Sequence, residues 1–375
     1  MRLLFVSSTT GGGSGRSQRE LARHLMVSGH DVHFLVDDKS PARGRRWIYE
    51  QLSDLAVRVG DRPGGQIVRA LERLPGRRTE TLELEGFTHV TTPVPQNAVE
   101  RVLDDLRPDV VVGNSLVRLS WRRIRAACER RHIPTVLYVR EITSFDHLLP
   151  DEMPDAVVAN ARSLVAAVEE RGVACAYVPS VVDLSSTRTD STREVALVIN
   201  LVATHGIDLV WELAGRLPEI PFVLQESWPL DSDALTRIRA RAADLPNVEF
   251  RRAQPPGPEL YGDARILLVP HRIDNRPRVI TEAQSNGIPV ITSSHPGLAE
   301  AVGDGGVTVN PDDVDAWCDQ IGSLWTDGER YADLSQRALL HSQRAELGPE
   351  RITAAFERVL TTAIASAAPD TRAAP

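Results

Sequence analysis

Short apolar runs alternate with helical segments through both halves of this chain, and that alternation limits what it can fold into. RLLFVSS (2–8) leads through TTGGGSGRSQ (9–18) into RELARHLMVSG (19–29) and out to HDVHFLVDD (30–38). Leu21, Leu25 and Met26 recur at helical spacing, and Gly29 suits a helix end. Strand, glycine-rich turn, helix and strand make a βαβ unit, which demands a parallel sheet. Residues 39–85 are rich in Arg and Gly with weak periodicity and read as an excursion. The alternation resumes in VERVLDDLRPDVVVGNS (99–115), WRRIRAACERRHIPTVLYVREITSF (121–145) and DAVVANARSLVAAVEERGVACAYVPS (155–180).

A second alternating half follows the polar stretch DLSSTRTDSTR (183–193). VALVINLVATHGIDLVWELAGRLPEIPFVLQES (195–227) reads strand, loop, helix, strand, and NVEFRRAQ (247–254), ILLVP (266–270), IPVITSS (288–294) and GVTVNP (306–311) read as further strands. Helices are expected from about Gly297 and over 312–324, 330–340 and 349–365. The pattern predicts an α/β protein with two Rossmann-like, parallel-sheet domains facing a central cleft. They span residues 1–182 and 194–348, joined by a linker at 183–193 and followed by a helix at 349–365 and a disordered tail at 366–375. In such sheets ligands sit beyond the carboxyl ends of the strands.

The length of 375 residues agrees with two domains. A net charge of −8 argues against a nucleic-acid partner, whose binding rests on cationic surface. Lys39 is the sole lysine beside many arginines, a bias that reads as the base composition of the source genome rather than a function, although Arg does favour paired contacts to phosphate or carboxylate. Cys128, Cys175 and Cys318 are odd in number and far apart, which fits neither a disulfide framework nor a zinc site and points to a reducing cytoplasm. The opening MRLLFVSSTTGGG lacks a signal-peptide pattern, and no run approaches the roughly 20 apolar residues of a membrane span.

The stretch DNRPRVITEAQSNGIPVI (274–291) follows the strand that ends at Pro270. Pro277 suits the first turn of a helix, Asp274 or Asn275 can cap it, and Gly287 can end it. The helix start therefore lies at the ligand end of the sheet, where free amides attract an anion such as a diphosphate. Glu282, further into the helix, can accept two hydrogen bonds from the diol of a ribose. Spacing alone leaves a plainer reading open, with Asp274 a cap and Glu282 a solvated helix residue.

The run RPRVITEAQSNGIPVITSSHPGLAEAVGDGGVTVNPDD (276–313) resembles the donor-binding segment of family 4 glycosyltransferases of the GT-B fold. The resemblance extends over NVEFRRAQPPGPELYGDARILLVP (247–270) and INLVATHGIDLVWELA (199–214), and more loosely over 2–35. It implies a retaining, metal-independent transferase that moves a sugar from a nucleotide diphosphate sugar to an acceptor hydroxyl, with no cofactor beyond that donor. By the same resemblance Glu282 binds the nucleotide ribose, and Asp274, one methylene shorter than the family's Glu, approaches the donor sugar. The backbone at Arg276, Pro277, Arg278 and Val279 would face sugar and diphosphate, and the two arginine side chains either add phosphate contacts or point to solvent. Asn200 and His205 stand where the family carries an Arg and a Lys that neutralise the leaving diphosphate. Beside that anion the His205 pKa is expected to rise.

In the first half, Gly11, Gly12 and Gly13 form a turn whose backbone can approach a ligand closely. Arg140-Glu141 stands in place of the family's His-Asp pair, so Arg140 either orients an acidic or phosphorylated acceptor or pairs with an acid such as Glu141. Asn114 and Ser115 end a strand and are placed toward the cleft, and Trp228 is assigned to core. The resemblance also implies that domain closure assembles the site and that the last helix packs back on the first domain. Two rival readings keep the fold and change the activity: a nucleotide-sugar epimerase or pseudo-glycosyltransferase, and a nucleotide-sugar-binding protein without catalysis. The divergent first half points to a specialised acceptor such as a small natural product.

Overall fold

The structure, a computed structural model, describes residues 1–8, 10–37, 79–92, 95–114, 116, 118–227, 230–255 and 257–367. Lys39, Ser115, Trp228, most of the 39–85 excursion and all but two residues of the 366–375 tail lie outside the described residues. The chain divides into two compact units, one of Met1–Asn160, Leu164–Val178 and Thr353–Pro375, the other of Ala161–Ser163 and Pro179–Ile352.

Among the described residues the first unit has eight strands: β1 (Arg2–Ser7), β2 (Asp31–Asp37), β3 (Glu80–Leu84), β4 (Phe87–Thr92), β5 (Val110–Asn114), β6 (Thr135–Val139), β7 (Ala156–Ala159) and β8 (Cys175–Tyr177). Their order is β3-β4-β2-β1-β5-β6-β7-β8, parallel except for the β3–β4 hairpin. The apolar runs of β5 and β6 are buried along their whole length, as expected of strands covered on both faces. Phe5 in β1 stacks on Phe34 of β2 and on Phe356 of the terminal helix Pro349–Ala367, at centroid distances of 5.6 and 6.1 Å. Such contacts add to the area these rings bury, and they bring the C-terminal helix into the first unit.

The second sheet has six parallel strands: β9 (Val195–Ile199), β10 (Phe222–Gln225), β11 (Val248–Arg251), β12 (Ala264–Val269), β13 (Val290–Ser293) and β14 (Gly306–Val309). They are ordered β11-β10-β9-β12-β13-β14. One core cluster joins Val210 and Leu213 to Phe222, Trp317 and Leu324, and another joins Tyr261 to Ile280, Ala283 and Leu298. Residues 183–193 are tied to this unit. Asp183 caps the short turn Leu184–Thr187, and the Arg193 guanidinium donates to the carbonyls of Gly287 and Asn286 at 3.1 and 2.7 Å.

Each sheet has one place where strand order reverses. In the first, the chain leaves β1 for β2 on one side and continues from β5 on the other. In the second, β9 leads to β10 and β11 while β12 leads the opposite way. The crevices beyond the ends of β1/β5 and of β9/β12 are where an open α/β sheet holds a ligand.

Candidate functional site

At the β9/β12 reversal, Asn200 takes a left-handed backbone, φ 75°, and its side-chain oxygen accepts a hydrogen bond from the Ser227 hydroxyl. Left-handed backbone is tolerated by Asn at a local cost. A short helical turn, Ala203–His205, follows, and Gly206 ends it at φ 78°. A Cβ on Gly206 would lie 1.9 Å from the Pro270 carbonyl oxygen, so glycine is required for the turn to reach the end of β12. The Arg272 amide completes the contact by donating to the Thr204 carbonyl at 2.9 Å.

This close approach stacks the His205 ring on the His271 ring, centroids 4.1 Å apart and planes 19° from parallel. His271 is 1% exposed, and its Nδ1 lies 3.0 Å from Asn275 Oδ1. Burial pushes His205 down to about 4. Burial, with the neighbouring His205, pushes His271 down to about 3. Both rings are neutral at pH 7. Burial thus acts in the opposite direction to the rise expected for His205 beside a diphosphate.

The helix that carries Glu282 spans Arg278–Ser285, with Pro277 as an extended N-cap and no side-chain cap bond. Pro277 therefore stands just before the first turn rather than in it. Neither Asp274 nor Asn275 caps this helix, and the Asn275 side chain meets His271 Nδ1. Asp274 Oδ1 instead accepts the Gly297 amide at 2.7 Å, in the first turn of the neighbouring helix Pro296–Val302. The first amides of a helix have no partner within it, and Val279 lies in this first turn, at the end of the sheet where the order reverses. Val279 itself is half-buried and packs on the Tyr261 cluster.

Glu282 is 2% exposed, which overturns its reading as a solvated helix residue. Its carboxylate accepts from the Tyr261 hydroxyl and from Arg278 Nε, each at 2.7 Å. Neither arginine of the stretch points to solvent. Arg278 turns back on Glu282, and Arg276, with 4% of its side chain exposed, lies 3.8 Å from Glu300 Oε1 without hydrogen-bond geometry. His271, Tyr261 and Glu300 were not legible as site residues. His271 directly follows the strand end at Pro270, which is the one local signal it carries.

At the β1/β5 reversal, Gly12 and Gly13 open the helix Gly12–Val27 instead of forming a turn before it, with Gly12 at φ 67°. Poor intrinsic helix preference of glycine hides such a start from the sequence. Asn114, fully buried at the end of β5, donates to Ser14 Oγ and accepts from Arg140 Nε, both at 2.8 Å. The Arg140 guanidinium also lies 4.5 Å from the centroid of the Tyr138 ring. Its neutral partner here is Asn114; Glu141 is exposed.

Residues 213–327 match the family model described as Glycosyl transferases group 1. The matched stretch lies within the second unit. The segment includes Asp274 and Glu282, while His205 lies just before it. A D-inositol 3-phosphate glycosyltransferase of Catenulispora acidiphila is 35% identical over 140 residues, 35% of this chain and 32% of that protein. One of the same name from Corynebacterium urealyticum is 31% identical over 101 residues, 26% of this chain and 24% of its own length. The chain thus spans about a quarter to a third of these curated relatives. Among solved structures, sucrose-phosphate synthase from Thermosynechococcus elongatus has a TM-score of 0.73 at 15% identity, covering 98% of this chain and 100% of that one. Anabaena Alr3699/HepE in complex with UDP-glucose has a TM-score of 0.68 at 15% identity, covering 96% and 100%. The fold is the expected α/β, GT-B-like pair of Rossmann-like, parallel-sheet domains.

Proposed function

We propose that this protein is a retaining glycosyltransferase that moves a sugar from a uridine diphosphate sugar to a hydroxyl of a small, anionic acceptor. The observation that supports the reading is that Asn200 and His205 follow β9, and Asp274, Val279 and Glu282 follow β12, at one strand-order reversal, with the latter three inside the stretch matched by the group 1 model. In this reading Glu282 accepts the ribose hydroxyls, held in place by Tyr261 and Arg278. The Val279 amide and His205 face the diphosphate, where fixed donors stabilise the charge that develops as the glycosidic bond to phosphate breaks. Asp274 faces the sugar from a loop pinned to Gly297. The departing phosphate receives the acceptor proton, so the acceptor oxygen attacks from the face the leaving group vacates.

The uridine base is supported by the UDP-glucose complex of HepE. An anionic acceptor is supported by relatives named for D-inositol 3-phosphate. The test is UDP release from UDP-glucose, UDP-N-acetylglucosamine and UDP-glucuronate, with and without polyol phosphates. Acceptor-dependent UDP release with retained anomeric configuration is expected. Sugar interconversion without acceptor would favour the epimerase reading, and UDP-sugar binding without any turnover would favour a binding protein.

A further inference from the structure

We propose that His205 and His271 act as one proton-binding unit, so that the donor diphosphate binds together with a proton taken from solvent. The proposal rests on the donor-site reading above and goes beyond it by giving His271 a positioning role and the proton a place in recognition.

The geometry carries the argument. The two imidazoles are parallel to within 19° at 4.1 Å, at the junction that Gly206 makes possible. His271 is held from its far edge by Asn275 Oδ1, which fixes the proton on Nδ1 and presents the ring face to His205. A proton on His205 then gains cation–π attraction from a neutral ring. A second proton on the pair would place like charges in contact, so the stack takes one proton and not two. With no anion beside it, burial favours the neutral form of both rings. A diphosphate reverses that balance for His205.

The surrounding charged groups leave this role to the stack. Arg272, from the same loop as His271, pairs with Asp312 at 2.8 Å. Asp274 directs one carboxylate oxygen to the Gly297 amide. His295, at the start of the helix Pro296–Val302, further disfavours a charge on His271. Asp208 lies in the first turn of the helix Ile207–Arg216, on its exposed side. A lysine at residue 205 would carry a standing charge; the imidazole brings its charge only with the ligand.

The consequence is a pH-dependent affinity. Between the pKa of the pair alone and its raised value in the complex, only the complex is protonated, and the dissociation constant rises up to tenfold per pH unit. The test is isothermal titration of the full chain with UDP-glucose, whose diphosphate has no group titrating near neutrality. It is run at pH 6 and 7 in two buffers of different ionisation enthalpy. Uptake approaching one proton per UDP-glucose is expected at pH 6. His205→Lys should bind with no uptake and a flat pH profile. His271→Leu should lose the uptake, and His271→Phe, which keeps an aromatic face, should restore it. Binding of UDP-glucose without proton uptake, or equal uptake in His271→Leu and wild type, overturns the proposal. Absence of UDP-glucose binding would instead remove the donor reading, and the proposal with it.

Discussion

Glu282 and Arg278 hold opposite charges inside the second unit with only 2% and 5% of their side chains exposed. A buried ion pair is weak support for stability, because both ions have left water; losing one partner of such a pair costs about 3–5 kcal/mol, while an apolar replacement of both is often neutral. This separates structure from function at one position. Arg278→Met alone should lower the unfolding free energy by about 3–5 kcal/mol in urea titration. Arg278→Met with Glu282→Met should recover most of that loss yet bind UDP far more weakly than wild type. A double variant that binds UDP normally would reduce Glu282 to a packing role. The motif makes Glu282 visible as a candidate, and Arg278 stands at i,i+4 spacing from it, but the Tyr261 contact is not visible, because it lies 21 residues away and has no local signature.

At the scale of elements, the parallel strands of both sheets were legible because buried strands read as short apolar runs between turn residues. VVVGN, TVLYV, VALVI and ARILLV all became strands. The β3 strand, ETLEL, was missed inside the supposed excursion because four of its five residues are exposed at a sheet edge, leaving no buried stripe to detect. The helix Ser232–Ala243 was missed for a related reason, since it buries little beyond Ile238 and Ala242. Its signal was present in the cap: the Asp231 carboxylate accepts the Ala234 amide at 2.7 Å. The helix at 278–285 was foreseen, but its cap was misassigned because Asp274 serves the next helix in space, a choice made by tertiary packing and not by spacing.

Among the described residues of the whole molecule, burial lowers His205 to about 4, His271 to about 3 and His341 to about 4, and also lowers His89. The unfolded chain takes up these protons near pH 6.5, before the folded protein does. Stability is therefore full above that pH and falls as pH drops toward 4, by up to about 1.4 kcal/mol per pH unit for a single buried histidine such as His271. Urea unfolding at pH 7.5, 6.5 and 5.5 should show this loss, and His271→Gln should have a shallower slope. Parallel slopes would mean that His271 is charged in the fold. Among the described residues no helix is long and apolar enough to cross a membrane. The central claim, that the β9/β12 reversal holds a nucleotide diphosphate, is tested most directly by amide hydrogen exchange of the full chain with saturating UDP or uridine. The account predicts UDP-specific protection of residues 200–206 and 276–282. Unchanged exchange there, or protection confined to other segments, would contradict it.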